Sequence, residues 1–291
     1  MQQRDTRKGI LLMIATTAVF AAQDALSRHL AETYSVILVV MLRYWFFALF
    51  VTVIAGRRAG GVRTAARTNR PVLQIGRGVL LAGEICVMVF GFTLLGLTES
   101  HAVFALYPLL VVALSGPALG ERVGPVRLAA VAIGFAGILV ILQPGAHVFS
   151  PAALVPLLAA AMFAFYGLLT RLAARDDTAE TSFFWTGVSG AVFMTLVGLP
   201  SWEAMTLPDY GWMTILCVTG ATGHWLLIKV YEAAEASAVQ PFSYLQLVFA
   251  SAIGVAVFGE TVRPATAIGA AIIVGAGLFA LLRERRKAAR T

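Results

Sequence analysis

The strongest constraint on this 291-residue chain is its succession of long apolar segments. A helix needs about 20 mostly apolar residues to cross the hydrocarbon core of a bilayer, because each residue advances it by about 1.5 Å. The chain is 59% hydrophobic and only 13% charged, whereas soluble domains carry about 25% charged residues. The sequence therefore predicts an all-α polytopic membrane protein with ten transmembrane helices, at approximately 9–30, 35–55, 73–95, 99–119, 127–143, 152–174, 181–199, 210–233, 237–258 and 265–282.

The first segment also has features of a secretory signal peptide, because Arg4, Arg7 and Lys8 precede an apolar stretch. That stretch continues past the usual length of a signal peptide's apolar region. The stretch "VFAAQD" also lacks a clear cleavage site of the small-x-small type. We therefore expect the first segment to remain as a helix in the membrane.

Basic residues in the short connections predict the orientation of the chain. With ten crossings and a cytoplasmic N-terminus, 19 of the 22 Lys and Arg residues fall on the cytoplasmic side. Only Arg28 and Arg263 fall on the other side, and Arg43 lies within the second segment. We therefore predict a bacterial inner-membrane protein with both termini in the cytoplasm. The net charge of +7 then reflects topology and contact with anionic lipid headgroups, and we expect no nucleic-acid partner.

A six-residue pattern, G-E-x-V-x-P, occurs twice in the chain, as "GERVGP" at 120–125 and "GETVRP" at 259–264. With the two copies in register, "YPLLVVALSGPALGERVGP" aligns with "QLVFASAIGVAVFGETVRP". Upstream, "ESHAV" at 99–103 resembles "EASAV" at 235–239. The two copies therefore indicate that the chain arose by duplication.

Each half contains five apolar segments, and the repeated pattern lies between the fourth and the fifth. An odd number of crossings inverts the second half relative to the first. We therefore predict two inverted five-helix repeats, at 9–143 and 150–282, followed by a basic cytoplasmic tail at 283–291. Transporters of this design place their substrate site near the membrane midplane, between the repeats.

Several short motifs in this arrangement resemble the EamA branch of the drug/metabolite transporter superfamily. They are "LRYWFF" early in the second segment, "YPLL" within the fourth, and "LGE" and "FGE" at the ends of the fourth and ninth. The resemblance covers nearly the whole chain and implies a ten-helix carrier of small metabolites. Among family members the sequence is most similar to exporters of amino acids, including aromatic ones. Uptake carriers for other metabolites share the pattern, so the resemblance leaves the substrate open.

One departure from this pattern concerns the ninth segment. In register, "QLVF" at 246–249 replaces "YPLL", so nothing there corresponds to Pro108. The nearest proline, Pro241, lies at the start of the segment. The sequence thus gives no reason to expect a break in the ninth helix equivalent to the one expected in the fourth.

Motifs for other functions are missing from the chain. It contains no P-loop, no dinucleotide-binding fingerprint, no H-E-x-x-H and no G-x-S-x-G. Cys86 and Cys217 both fall within apolar segments and are expected to be buried thiols. We therefore expect a secondary transporter that exports small metabolites, above all amino acids, by alternating access through a central cavity between the repeats. We expect no cofactor, no metal, no enzymatic activity and no obligatory protein partner. The alternatives are an uptake carrier or facilitator for another metabolite, and a non-transporting membrane scaffold.

Ionisable side chains within the apolar segments are candidates for function, because charge is costly in a bilayer. Arg43 could clamp a substrate carboxylate, hold an outer gate, or serve as a structural arginine. Asp24 could bind a substrate ammonium, or pair with Arg43 or Arg28. Glu84 is the most deeply placed acid and must be paired or protonated, which makes it the leading candidate for proton coupling. His224, at a similar depth, is either a proton relay or ligand or a satisfied core histidine.

Aromatic residues complete the predicted site, because a buried phenol needs a hydrogen-bond partner and a flat apolar wall suits an aromatic solute. Trp185 lies nearer the inner end of its segment than the tyrosines do. The predicted substrate site consists of Arg43, Glu84, Tyr107, Tyr166, Trp185, His224 and Tyr244, and the proton-coupling candidates are Glu84, Asp24 and His224.

Three further ionisable residues are expected to have other roles. His101, at the outer end of the fourth segment, is expected at the membrane interface. Glu121 and Glu260, the acids of the repeated pattern, are expected to be structural, with hydrogen bonds in turns at the membrane boundary.

The predicted topology can be tested by labelling introduced cysteines with a membrane-impermeant reagent. Five crossings separate the two copies of the repeated pattern, so they should lie on opposite sides. A cysteine at Gly124 should be protected from the external reagent, and a cysteine at Arg263 should be labelled. Labelling of both from one side would contradict the inverted repeat.

Overall fold

A computed structural model describes residues 6–58, 60–119, 124–142, 151–234 and 240–288. Its α-helices are α1 (Thr6–Ala31), α2 (Val36–Arg57), α3 (Gly61–Ala66), α4 (Pro71–Phe104), α5 (Tyr107–Leu119), α6 (Pro125–Leu142), α7 (Leu154–Ala173), α8 (Ala179–Gly198), α9 (Leu207–Ala233), α10 (Leu245–Phe258) and α11 (Pro264–Ala288). Short 3₁₀ helices lie at Pro151–Ala153, Leu199–Ser201 and Gln240–Tyr244.

Several of the helices have the length and apolarity of membrane spans. Within the described residues, five helical stretches are long and apolar enough to cross a bilayer, and three apolar stretches are shorter. Large apolar side chains point outward from the bundle; Leu49, Leu158 and Leu196, for example, are more than half exposed. A surface of this kind suits contact with lipid. The predicted all-α polytopic membrane fold is confirmed.

The third predicted segment and the beginning of the fourth form a helical hairpin within α4, and the rest of the fourth segment is α5. In a straight helix, residues 92 and 101 would be about 13.5 Å apart along the axis. The rings of Phe92 and His101 are instead stacked, with centroids 5.3 Å apart. The reversal occurs at Gly96, whose φ of 79° and ψ of 178° are not helical. Glycine is suited to this turn, because a positive φ strains residues that carry a Cβ.

Contacts between connections show that the two halves are inverted. On one face, Tyr34 donates a hydrogen bond to Asp209 at 2.8 Å, which joins the α1–α2 connection to the start of α9. On the other face, the backbone N–H of Asn69 donates to Asp177 Oδ1 at 3.0 Å. This hydrogen bond joins the α3–α4 connection to the α7–α8 connection. The α1–α2 connection of the first half and the α7–α8 connection of the second half therefore lie on opposite faces, as a five-crossing repeat requires.

The packing of the helices has the matching two-fold relation. In the repeat register, α1, α2 and the first arm of α4 correspond to α7, α8 and α9. The most extensive contact is α1 with α9, and its counterpart, α4 with α7, is also extensive. The contacts of α1 with α10 and of α5 with α7 form a second matched pair. Two further large interfaces, α2 with α8 and α6 with α11, join corresponding helices of the two halves. The interface of α4 with α8 is more extensive than its counterpart, α2 with α9, so the relation is approximate.

The fourth and ninth segments are interrupted at corresponding positions, although a break in the ninth was not predicted. Ala105, just after α4, has φ −58° and ψ −9°. Tyr244, its counterpart in register, has φ −65° and ψ −15° where the 3₁₀ helix meets α10. The break in the ninth segment follows the 3₁₀ helix Gln240–Tyr244, which contains Pro241. The Tyr244 ring there packs closely over Gly277 of α11, where any side chain would overlap it.

Candidate functional site

A cavity of about 310 Å³ lies between the two halves. Its walls come mainly from α1, α4, α7 and α9, with single contributions from α2, α5 and α10. Five of the seven predicted substrate-site residues and all three proton-coupling candidates line it. These are Asp24, Arg43, Glu84, Tyr107, Tyr166 and His224.

Arg43 and Glu84 bring a basic and an acidic side chain into this cavity. Both are almost fully buried, at 9% and 4% exposure, and they lie close enough to interact electrostatically. Among the described residues, no carboxylate lies within ion-pair distance of the Arg43 guanidinium. Gly220 leaves room for that guanidinium, since a Cβ there would lie 3.4 Å from Arg43 Nε. Arg43 is therefore placed to receive an anionic group in the cavity.

Asp24 does not pair with Arg43 or Arg28 but belongs to a polar cluster at one end of the cavity. Gln246 Nε2 donates to Asp24 Oδ2 at 3.0 Å. His101 Nε2 lies 3.2 Å from the same oxygen, although its angle does not satisfy a hydrogen bond. Gln246 comes from the second half, and the other two residues come from the first. The cluster therefore joins the halves through one carboxylate.

His101, which was expected at the membrane interface, has its side chain inside the bundle. Its side chain is 4% exposed, and it stacks on Phe92 and lines the cavity. The reason is the hairpin at Gly96, which turns the chain back so that His101 lies about one helical turn inside the bundle.

Aromatic rings form one wall of the cavity. Phe104, Tyr107, Phe163 and Tyr166 follow one another along α4, α5 and α7, with successive centroids 5.2, 4.9 and 5.9 Å apart. Across the cavity, Phe20 meets His224 edge-on at 5.4 Å. Such surfaces suit a flat ring, which can lie between aromatic faces and edges.

Arg77 is buried against this wall, whereas the sequence placed it with the cytoplasmic basic residues. Its side chain is 1% exposed. It donates hydrogen bonds to the Tyr166 hydroxyl at 3.1 Å, to Thr170 Oγ1 at 3.2 Å and to Gln74 Oε1 at 2.8 Å. Arg77 thus supplies the partner that a buried Tyr166 phenol needs, and it fixes the ring at the cavity wall.

Two predicted site residues do not line the cavity. Trp185 donates its indole N–H to the Ala66 carbonyl at 3.2 Å, near the α2–α4 connection. Tyr244 is buried in a separate apolar cluster with residues of α5, α6 and α11, and its hydroxyl has no hydrogen-bond partner within the described part of the chain. Its neighbours Ser243 and Gln246 line the cavity instead. Ser243 and Gln246 could have been predicted as cavity residues, because both are polar and their i, i+3 spacing within an apolar segment places them on one face of the helix.

Comparison with known proteins agrees with this architecture. The model of the EamA-like transporter family matches residues 7–143 and 150–282. A solved crystal structure with 22% sequence identity has a TM-score of 0.66, and the match covers 97% of this chain and 100% of that one. That likeness concerns the fold alone.

Three relatives illustrate the range of similar proteins. The chain is 25% identical over 284 residues to the S-adenosylmethionine uptake transporter of Rickettsia prowazekii, covering 96% of this chain and 94% of the relative. It is 31% identical over 228 residues to the riboflavin transporter of Rhizobium johnstonii, covering 77% and 74%. It is 25% identical over 282 residues to the pseudopaline exporter CntI of Pseudomonas aeruginosa, covering 96% and 98%. None of these names concerns amino-acid export, so the expected similarity to amino-acid exporters finds no support in them.

Proposed function

The chain belongs to the EamA-like transporter family, and on that premise we propose that it is a secondary transporter working by alternating access through the cavity between its halves. It is a multi-pass membrane protein and a transporter rather than an enzyme. An inverted repeat supports alternating access, because two halves related by a two-fold axis can exchange their conformations and expose a central site to either side.

The proposed substrate class is a small metabolite that joins an amino-acid group to a planar ring. The observation that carries it is the cavity that contains Arg43 without a carboxylate partner, Glu84 nearby and an aromatic wall. A guanidinium matches a carboxylate bidentately, and a buried acid can receive an ammonium group. The ring system then lies against Tyr107 and Phe163. Backbone carbonyls and His224 can complete the hydrogen bonds of the substrate.

Several compounds distinguish the parts of this proposal. S-adenosylmethionine carries a carboxylate, an ammonium group and an adenine ring, so it can use every feature of the site. Phenylalanine and tryptophan are smaller molecules that carry a carboxylate, an ammonium group and an aromatic ring. Amino-acid export therefore remains within the proposal. Riboflavin has a large planar ring system but no amino-acid group, so it uses the aromatic wall without Arg43.

Transport by purified protein in proteoliposomes tests the proposal. We expect saturable exchange of S-adenosylmethionine or of an aromatic amino acid, measured in both directions, with riboflavin a poor competitor. Arg43→Gln should lower transport per folded molecule about tenfold or more, because it removes a charged hydrogen bond worth about 1.5–3 kcal/mol. Tyr244→Phe is the matched control, because it removes a buried hydroxyl outside the cavity and should leave this ratio unchanged. Full transport by Arg43→Gln would refute the assigned carboxylate site.

Coupling to protons is the second part of the proposal, with Asp24, Glu84 and His224 as the candidates. Asp24 has the best geometric support, because His101 lies 3.2 Å away and Arg43 and Glu84 line the same cavity. A proton on His101 would strengthen this contact, and a substrate or a conformational change could weaken it.

Gradient-driven and exchange transport separate a coupling role from a binding role. Asp24→Asn should abolish accumulation driven by a pH gradient while exchange of substrate across the membrane continues. His224→Ala serves as a comparison at a second cavity position. Unchanged gradient-driven accumulation by Asp24→Asn would exclude Asp24 as the coupling group.

A further inference from the structure

Glu260, the acid of the second G-E-x-V-x-P pattern, joins the two halves at one end of the bundle. It lies in the connection between α10 and α11, in the second half. Its carboxylate accepts hydrogen bonds from the backbone N–H groups of Leu97 at 2.7 Å and Thr98 at 2.9 Å. It also forms an ion pair with Arg28 of α1. These three partners belong to the first half, and we call the group Glu260, Arg28, Leu97 and Thr98 the latch. Glu121, the acid of the first pattern, lies outside the described residues.

The hairpin turn creates the need for this carboxylate. Because the chain reverses at Gly96, the N–H groups of Leu97 and Thr98 begin a new helical arm and have no carbonyl partner within it. A carboxylate at such a position satisfies both donors and carries the favourable charge. Two glycines make room for it, since a Cβ at Gly96 or at Gly254 would overlap the Glu260 carboxylate.

The latch is charged and largely shielded from solvent. The side chains of Arg28 and Glu260 are only 14% and 12% exposed. Burial raises the pKa of Glu260, but the hydrogen bonds from Thr98 and Leu97 and the charge of Arg28 outweigh it and hold the pKa below its usual range. The Arg28 guanidinium also lies 4.0 Å from the centre of the Phe258 ring. The Glu260 carboxylate is therefore charged at neutral pH, beside the Arg28 guanidinium.

The latch lies directly beyond the end of the cavity. Arg28 is one helical turn past Asp24 on α1, and Thr98 is one turn before His101 on the returning arm of α4. One turn is about 5.4 Å. Since Asp24 and His101 line the cavity, the latch lies roughly one turn outside them, across both helices. A second cross-half ion pair, between Glu99 and Arg263, lies at the same end.

We propose that the latch is the outer gate of the transport cycle, closed in this structure and opened when Glu260 leaves Arg28 and the two backbone donors. The proposal rests on the proposed transport function and topology. Glu260 and Arg28 are then positioning residues, because they control access to the cavity without contacting the substrate. The acid of the second pattern thereby has a function beyond forming a turn.

Accessibility of the cavity tests the gate without any substrate. In the full chain with Cys86→Ser and Cys217→Ser, Thr17→Cys places a single thiol at a buried position that lines the cavity. The rate of its reaction with a membrane-impermeant maleimide added outside whole cells is then measured per folded molecule. Glu260→Gln should raise this rate about tenfold or more, because it removes the charge from three hydrogen-bonded contacts. Arg28→Gln should raise it as well, since the ion pair is lost.

A second acidic partner of Arg28 provides a matched control. Glu32 also pairs with Arg28, at 3.1 Å, but it belongs to the first half and leaves the halves unlinked. Glu32→Gln should therefore leave the labelling rate unchanged. Exchanging the charges, with Arg28→Glu and Glu260→Arg together, should not restore slow labelling, because an arginine cannot accept the two backbone hydrogen bonds.

The outcomes separate the gate from the transport proposal. Faster labelling with Glu260→Gln and Arg28→Gln but not with Glu32→Gln supports the gate, even if no tested compound is transported. Wild-type labelling rates in both folded variants overturn the gate, even if transport of an amino-acid-bearing compound is established. Equal acceleration by Glu32→Gln overturns it too, because the link between the halves would then not matter.

Discussion

Polar groups inside a bilayer must find their partners within the protein, and this constraint explains where the chain departs from regular helix. Lipid offers no hydrogen bonds, so free backbone groups occur only where they face protein or a cavity. The reversal at Gly96 frees two N–H groups, and Glu260 of the other half satisfies both. The two terminal nitrogens of the buried Arg77 guanidinium likewise donate to the side chains of Tyr166, Thr170 and Gln74. Arg43 and Glu84 form no such described hydrogen bonds, and they face the cavity.

The same constraint links structure to transport. Arg77 and Glu260 are paired across helices, whereas Arg43 and Glu84 line the cavity without an ion-pair partner among the described residues. An amino-acid group on a substrate can supply these missing partners, and the aromatic wall can accept its ring. In the proposed alternating access, contacts at one end of the bundle are exchanged for their counterparts at the other end. The Glu260–Arg28 contact is therefore a natural element of such an exchange.

The helices and their inversion follow from the sequence, because apolar length and charge bias act locally along the chain. The depth of Asp24, Arg43, Glu84 and His224 was predictable for the same reason, and the structure brings all four to one cavity. The direction in which a side chain points depends on tertiary packing, and depth alone does not reveal it. Trp185 and Tyr244 therefore look equivalent to Tyr107 and Tyr166 in the sequence but face other parts of the bundle.

Other features depended on contacts between distant segments. The sequence placed His101 at the interface because the tightness of the Gly96 turn is not encoded in hydropathy. The break before α10 occurs at the 3₁₀ helix that contains Pro241, although in the sequence this proline only marked the start of the segment. Glu260 was correctly expected to form hydrogen bonds at a turn. Its partners in the other half were not predictable, since they depend on how the turn at Gly96 packs against the connection between α10 and α11.

Reciprocal motion of the two ends is the central claim of alternating access, and spin-label distances measure it directly. One label pair, at Glu32 and Val262, reports on the end of the bundle that carries the latch. A second pair, at Arg175 and Gly124, reports on the opposite end. All four positions are exposed. We predict that adding a transported substrate changes the two distance distributions in opposite directions, one pair separating as the other approaches. Distances that stay fixed at both ends, or that increase together, would contradict the account.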